Sequence, residues 1–425
     1  MKTSWKKTAA VLMAGTLAAG MLAGCGKKAL ALDGTKTVAT VNGTEIPMGL
    51  LSLDARYQQM QQELMYYYYG MSGMAIWDTV ADSETGTTYG MRFRDQILDN
   101  LETWYLEAEH AEEYGIEFSD EDKKAISDAA DAFIESNSEE TLKEISVTKE
   151  NVEKYLELYR INHLMQEKLA DEAPVEITDE EAVQTSFTYV SISYGGEDAT
   201  DEDKENAKAN AEKVLEKLNE EPEIERTDLS DFVKTLDESY NATRGHFTKD
   251  EDAFQAQIDE GLTSSYADEV MEALRTLSDG EVYPEVIDTG SAAYVVRLDK
   301  LEDEEYTESM RSTLTNHIQS EYVTEKIQEW KDAADIKVDD KVLKTLEIID
   351  THKYVAPTPT PAPTEEPKEE EAAKEETTEE AAEEPAEETE EKAEEKAEDK
   401  AAEETEEKAE DEAAEKTETT EEKKN

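Results

Sequence analysis

Apolar residues recur every three to four positions through most of the first half of the chain, the spacing that gives a helix one face to bury. Residues 48–69 predict a helix ending in Met65-Tyr66-Tyr67-Tyr68-Tyr69-Gly70, and residues 90–114 another, with Phe93, Ile97, Leu101 and Leu106 set around Trp104 and Tyr105. Two more helices are predicted over 119–135 and 139–146. Thr148 is placed to cap a long helix whose Tyr155, Leu158, Ile161, Met165 and Leu169 share a face. Ahead of them, Val38-Ala39-Thr40-Val41-Asn42-Gly43-Thr44-Glu45-Ile46-Pro47 alternates around an Asn-Gly pair, which predicts two short strands and a tight turn.

The period changes near residues 171–174. Residues 185–193, Thr-Ser-Phe-Thr-Tyr-Val-Ser-Ile-Ser, are β-branched and aromatic and predict a strand. A helix is predicted over 203–218 with Ala207, Ala211, Val214 and Leu218 on one face; shorter helices are predicted over 229–236 and 265–277, and Ser278-Asp279-Gly280-Glu281 makes a turn. Val282–Ile287 and Ala292–Leu298 read as strands, the first demoted to an edge by Pro284. A last helix over 305–332 carries Met310, Leu314, Ile318, Tyr322, Ile327 and Trp330, and Ile336-Lys337-Val338 reads as a short strand. That helix has no partner of its own, so it is expected to close onto the early helices. The fold class is then α+β, an α+β module being inserted in a composite helical domain.

The two ends of the chain are of another kind. Lys2, Lys6 and Lys7, an apolar run over 8–21 and Leu22-Ala23-Gly24-Cys25 make a signal peptide with a lipobox. Cys25 is the one cysteine in 425 residues, and acylation of its thiol accounts for an unpaired cysteine in an exported chain. A Pro-rich stretch follows residue 355, and residues 361–425 hold 30 acidic against nine basic residues, with no apolar side chain larger than alanine apart from a few prolines. Such a segment cannot bury enough surface to offset its ordering entropy and is expected to be a spacer and a disordered tail.

A formal net charge of −64 argues against nucleic acid as a partner and against adhesion to anionic lipid headgroups. No phosphate loop, zinc-ligand spacing or nucleophile elbow is present, and no metal or cofactor is expected. The five histidines, His110, His163, His246, His317 and His352, stand singly and read as surface or helix-face residues.

Three segments in this order resemble the PrsA/SurA foldase family: the opening Val38-Ala39-Thr40-Val41-Asn42-Gly43 with Glu45-Ile46, the strand and turn features of the middle, and the closing Ala333-Ala334-Asp335-Ile336-Lys337-Val338. The resemblance implies a helical chaperone domain, built from N-terminal helices and a C-terminal helix, around a parvulin-like prolyl isomerase domain. The corresponding divisions are 1–24 signal peptide, 25–37 linker, 38–180 N-terminal helical region, 181–302 parvulin-like domain, 303–351 closing helix and 352–425 spacer and tail.

Placed in the family's V-x-A-S-H-I-L-V frame, Val183-Gln184-Thr185-Ser186-Phe187-Thr188-Tyr189-Val190 carries Phe187 where the family has its first active-site histidine. Tyr294 stands at the second histidine, Asp237 is the nearest match to the central acidic position, and Gly245-His246-Phe247 is what remains of a Gly-rich turn. Tyr266 and Val270, with Phe247, would line the proline pocket. The resemblance therefore implies a foldase or chaperone for unfolded and newly secreted polypeptides, lipid-anchored on the extracytoplasmic face of the cell membrane, with weak or lost isomerase activity. An active isomerase and an envelope scaffold are the competing readings, and a homodimer is left open. Met60, Met65, Tyr66 to Tyr69, Met71, Met74 and Trp77 form the candidate client patch, with Met65, Tyr66 and Tyr69 as its contacts; four successive tyrosines cannot all turn inward.

Overall fold

The computed structural model describes residues 32–71, 74–196 and 199–351. The expected signal peptide, Cys25, His352, the Pro-rich spacer and the acidic tail lie outside the described residues.

β1 (Thr37–Val41) and β2 (Thr44–Pro47) pair antiparallel about Asn42 and Gly43, whose φ values are 50° and 88°. Asn and Gly reach this left-handed region at least cost, so the turn follows from its residues. The helices α1 (Met48–Tyr68), α2 (Tyr89–His110), α3 (Asp120–Ser136), α4 (Glu139–Glu144) and α5 (Lys149–Glu172) come next, with a small hairpin, β3 (Val80–Asp82) and β4 (Thr87–Thr88), ahead of α2. Thr88, Ser119, Ser138 and Thr148 cap α2, α3, α4 and α5, each accepting from a backbone N–H three residues on. The apolar faces meet in one core in which Leu50, Leu53, Leu101, Phe133 and Leu158 are fully buried.

The one-turn α6 (Asp179–Ala182) leads into β5 (Gln184–Ser193), α7 (Asp201–Glu220), α8 (Arg226–Lys234), β6 (Ala242–Thr248), α9 (Glu251–Asp259), α10 (Asp268–Leu274), β7 (Ile287–Asp288) and β8 (Ala292–Lys300). The four strands form an antiparallel sheet in the order β6-β5-β8-β7. Successive side chains of a strand face opposite ways, so each face buries its own set. Val190 and Ile192 pack with Val214, Leu229 and Val233 of α7 and α8; Phe187, Val296 and Leu298 pack with Phe254, Val270 and Leu274 of α9 and α10.

Three local expectations are corrected. Gly245-His246-Phe247 is not a turn but the middle of β6, where Gly245 lies opposite Phe187. Of the strand expected over Val282–Ile287, Val282 makes one isolated bridge to Arg297 and only Ile287–Asp288 enters the sheet, because Pro284 has no N–H to give a ladder. Helix α9 and the β3–β4 hairpin have no counterpart among the predicted elements.

The chain closes with α11 (Glu304–Ala333), β9 (Ile336–Val338) and α12 (Asp340–Leu343). β9 pairs antiparallel with β1, Thr40 opposite Lys337, so the first and last strands are neighbours. The far half of α11 packs on α2 and α5, where Val323, Ile327 and Trp330 meet Ile161, Met165 and Leu169, and Lys331 pairs with Asp99 at 2.8 Å. Its near half joins the sheet: the Asp303 N–H donates to the Gln184 carbonyl at 2.8 Å and the Gln184 N–H to Thr307 Oγ1 at 3.0 Å. A helix that changes partners midway keeps no continuous buried stripe. Met310 and Val323 are buried, while Leu314, Ile318 and Tyr322 are half-buried. Beyond α12, Leu346 and Ile348 enter the first core. No described helix is long and apolar enough to cross a membrane.

Candidate polypeptide-binding site

Trp77 organises the end of the helical body. Its ring is buried, its Nε1–H donates to Glu63 Oε1 at 2.7 Å, and it packs on Phe93 with ring centroids 4.9 Å apart. Its carbonyl accepts from the Gly90 N–H at the start of α2, 2.9 Å away. Gly90 has no room for a side chain, since a Cβ there would lie 1.9 Å from the Ile348 carbonyl oxygen. The Asp350 carboxylate accepts from the N–H groups of Ile76, Trp77 and Asp78 at 2.9, 3.3 and 3.0 Å. The loop is thereby held from inside by an indole and from outside by a carboxylate.

Around this fixed point large apolar side chains face outward. Met65, Tyr67, Tyr68, Tyr69, Met71 and Met74 are exposed, Tyr68 by 77% and Tyr69 by 74%. Val80 of the hairpin and Tyr89 and Met91 of α2 are exposed as well. Those three were not singled out in the sequence, where Val80 lies in no predicted element and Met91 falls in a predicted helix; the Tyr89 N–H donates to the Thr79 carbonyl at 3.0 Å and so ties them to the loop that carries Trp77. Conversely Met60 and Trp77, expected in the patch, are buried in the core, and Tyr66 is half-buried with its hydroxyl accepting from Gln62 Nε2 at 2.8 Å. Of the contacts singled out, Met65 and Tyr69 are on the surface.

A second cluster lies on the sheet of the inserted module. Phe187 is fully buried, and its ring is the hub of Tyr266 at 5.0 Å, Tyr189 at 5.5 Å and Phe247 at 6.0 Å. Tyr189 stacks on Tyr294 at 6.0 Å with 29° between the planes. Tyr189, Tyr266 and Tyr294 are half-buried, whereas Val270 and Phe247 are core residues that support the cluster from beneath rather than line its surface. Burial holds the Tyr189 and Tyr266 phenols above their ordinary range, so both keep their protons at neutral pH.

The two positions that the family frame gives to histidines do not face each other across the sheet. Phe187 stands opposite Leu298, while Tyr294 stands opposite Ser191, and Tyr189 is the residue that faces the Tyr294 ring. Asp237 does not join the cluster. It follows α8, which packs on the other face of the sheet, and its exposed carboxylate accepts from the N–H and hydroxyl of Ser239, which hold it below the usual carboxylate range. His246 is no exposed turn residue: on β6 it shares a hydrogen bond between Nδ1 and Gln184 Oε1 at 2.9 Å and stacks on Tyr306 at 4.6 Å. Burial lowers its pKa against the opposing charge of Asp303. The face therefore presents neutral phenols over an aromatic floor, chemistry suited to packing an apolar group and offering it O–H donors.

No family model matches the chain. It is 24% identical over 323 residues to the foldase protein PrsA of Clostridium botulinum strain 657, an alignment covering 72% of this chain and 89% of that protein. Among solved structures it matches a SurA-like chaperone of Campylobacter jejuni, 11% identical over 71% of this chain and 99% of that one, with a TM-score of 0.23. A foldase protein PrsA of Streptococcus pneumoniae is 19% identical over 60% and 93%, with a TM-score of 0.24. The chain is similar to a foldase of the PrsA kind.

Proposed function

We propose that the chain is a PrsA-like foldase or holdase that binds unfolded and newly secreted polypeptides on the extracytoplasmic face of the cell membrane, held there by a lipid on Cys25. In this reading residues 38–180 and 303–351 form the chaperone body and residues 181–302 a parvulin-like domain. The observation that carries it is the rim of exposed Met and Tyr side chains around Trp77. Adaptable thioethers and amphipathic rings on a fixed scaffold suit the capture of extended chain without sequence preference. Purified mature chain is expected to suppress aggregation of an unfolded secreted client, and the triple variant Met65→Ser, Tyr68→Ser, Tyr69→Ser to lose most of that suppression while keeping its melting temperature. Full suppression by the variant would end this reading of the rim.

Isomerase activity is expected to be weak or absent. Isomerisation must lower a barrier of about 18–20 kcal/mol, and selective stabilisation of the twisted imide requires polar groups aimed at it. Phe187 and Tyr294 stand where the family frame has imidazoles, so the tyrosine face offers phenols in their place. A second reading, a slow isomerase using the Tyr189 and Tyr294 hydroxyls, is favoured by the stacking of those rings over an apolar floor. A proline-peptide assay separates the two: a rate above the uncatalysed one that falls in the double variant Tyr189→Phe, Tyr294→Phe would establish the second.

A further inference from the structure

The rim differs from the rest of the molecule in charge as well as in polarity. Residues 32–351 contain 77 acidic against 28 basic side chains, yet from Tyr57 to Trp77 the one charged residue is Glu63. Glu63 is buried against the Trp77 indole, so the end of α1 and the loop after it present no charge to solvent over that stretch. Asp78, Asp82 and Glu84 stand at the margin, on the loop and hairpin that carry Trp77 and Val80. The half-buried Asp350 carboxylate lies against the backbone of that loop at Ile76 to Asp78. Arg92 on α2 attracts Asp82 and offsets one of these charges; Arg94 is buried and paired with Asp95 at 2.6 Å. The exposed Met and Tyr side chains thus form an uncharged apolar island on a strongly acidic molecule.

From this juxtaposition we infer that the rim selects its clients by charge: it takes apolar or aromatic segments flanked by Lys or Arg and rejects equally apolar segments flanked by Asp or Glu. The inference rests on the client reading of the rim given above. Apolar contact by itself is indifferent to sequence. A surrounding field of one sign raises the local concentration of oppositely charged chains and lowers that of like-charged ones. Because the carboxylates sit outside the patch and in solvent, their effect is long-range and screened, with a Debye length of about 8 Å at physiological ionic strength. Apolar contact then supplies the hold and the field supplies the choice.

The test uses the full mature chain and two labelled peptides that share one apolar-aromatic core, ending in Lys pairs in one and Glu pairs in the other. Fluorescence anisotropy at about 20 mM salt is expected to show the Lys-flanked peptide binding at least about tenfold tighter, the two converging to within about twofold at about 0.5 M salt. The Met65→Ser, Tyr68→Ser, Tyr69→Ser variant is expected to weaken both peptides by about tenfold or more. Asp82→Asn with Glu84→Gln is expected to shrink the preference without lowering the melting temperature, since an Asn oxygen can still accept from the Glu84 N–H as Asp82 Oδ1 does at 2.9 Å. Equal binding of the two peptides at low salt, still dependent on the rim, would overturn selection by charge and leave the client reading intact. Lys-flanked binding that survives the rim substitutions would place the attraction elsewhere on the acidic chain and overturn the proposal. Failure of both peptides to bind would remove the client reading and this inference with it.

Discussion

Phe187 and Gly245 show how closely one residue can depend on another across a sheet. A Cβ on Gly245 would lie 2.3 Å from Cζ of the Phe187 ring and 2.8 Å from the Tyr266 hydroxyl, so a large aromatic floor on β5 requires a glycine on β6. Gly245→Ala is expected to destabilise the fold by about 1–3 kcal/mol through overpacking, measured by denaturant unfolding. Phe187→His would bury an imidazole among aromatic rings and is expected to cost about 2–4 kcal/mol with no gain in isomerase rate. Histidines at Tyr189 and Tyr294 fall at the half-buried, stacked pair and are the substitutions expected to be tolerated. The family frame names Phe187 and Tyr294; Phe187 and Tyr189, two apart on a strand, face the same side, and the letters do not say which of them is covered.

Buried carboxylates make the same point in electrostatic terms. Asp54 is fully buried, and Gln58 donates to its Oδ1 at 2.8 Å. Desolvation, opposed by hydrogen bonding from Gln58 and Tyr155, raises its pKa from 3.8 to about 6. A carboxyl group raised on folding binds its proton more tightly in the native state. The native state therefore bears no penalty from it below the unfolded pKa, and loses stability as pH rises from near 4 to near 6. Asp54→Asn is expected to flatten this part of the stability profile and, at pH 7.5, to match or exceed the native chain by up to about 3 kcal/mol. Thermal melts at pH 5 and 7.5 check it; a variant less stable than the native chain at pH 7.5 would contradict the sign.

Among the elements, those with strong local signals stand where the pattern of residues places them. Capping by Ser119 and Thr148, the Asn-Gly turn and the apolar faces of α2 and α5 are written within a few residues of the structure they specify. β6 and β7 are not. Ala-Thr-Arg-Gly-His-Phe-Thr has the composition of a loop and becomes a strand because β5 offers it a ladder over seven paired positions. Equally hidden was the loop after α1, whose shape is set by Asp350, 274 positions beyond Ile76. Asp350→Ala removes three hydrogen bonds to backbone N–H groups and is expected to lower stability by about 1–3 kcal/mol. It should also speed amide exchange at residues 76–78 well before the rest of the core.

At the scale of the whole molecule, the two ends of the described chain build one body. β9 lies on β1, Ile348 enters the core of α1 to α5, and α11 runs from the module's sheet back to α2 and α5. Deleting residues 304–351 is therefore expected to do more than remove a helix. The remaining chain should lose cooperative unfolding of its N-terminal helices, with ANS binding and a broadened melt as the readouts. A sharp, unshifted N-terminal transition in that deletion would show the closing segment to be an accessory.

The letters of the chain determined what depends on near neighbours and on total composition: helices and caps, the Asn-Gly turn, the alternation of β5, the charge that argues against nucleic acid, and the order of segments that resembles the PrsA/SurA family. Tertiary structure alone decided which Met and Tyr side chains are core and which are rim, that Tyr189 rather than Phe187 meets Tyr294, and that Asp237 lies away from them. The reason is that burial is a property of what a face is packed against. Two residues of the same kind a few positions apart are equal to any local rule, and only partners brought from far along the chain make one of them floor and the other surface.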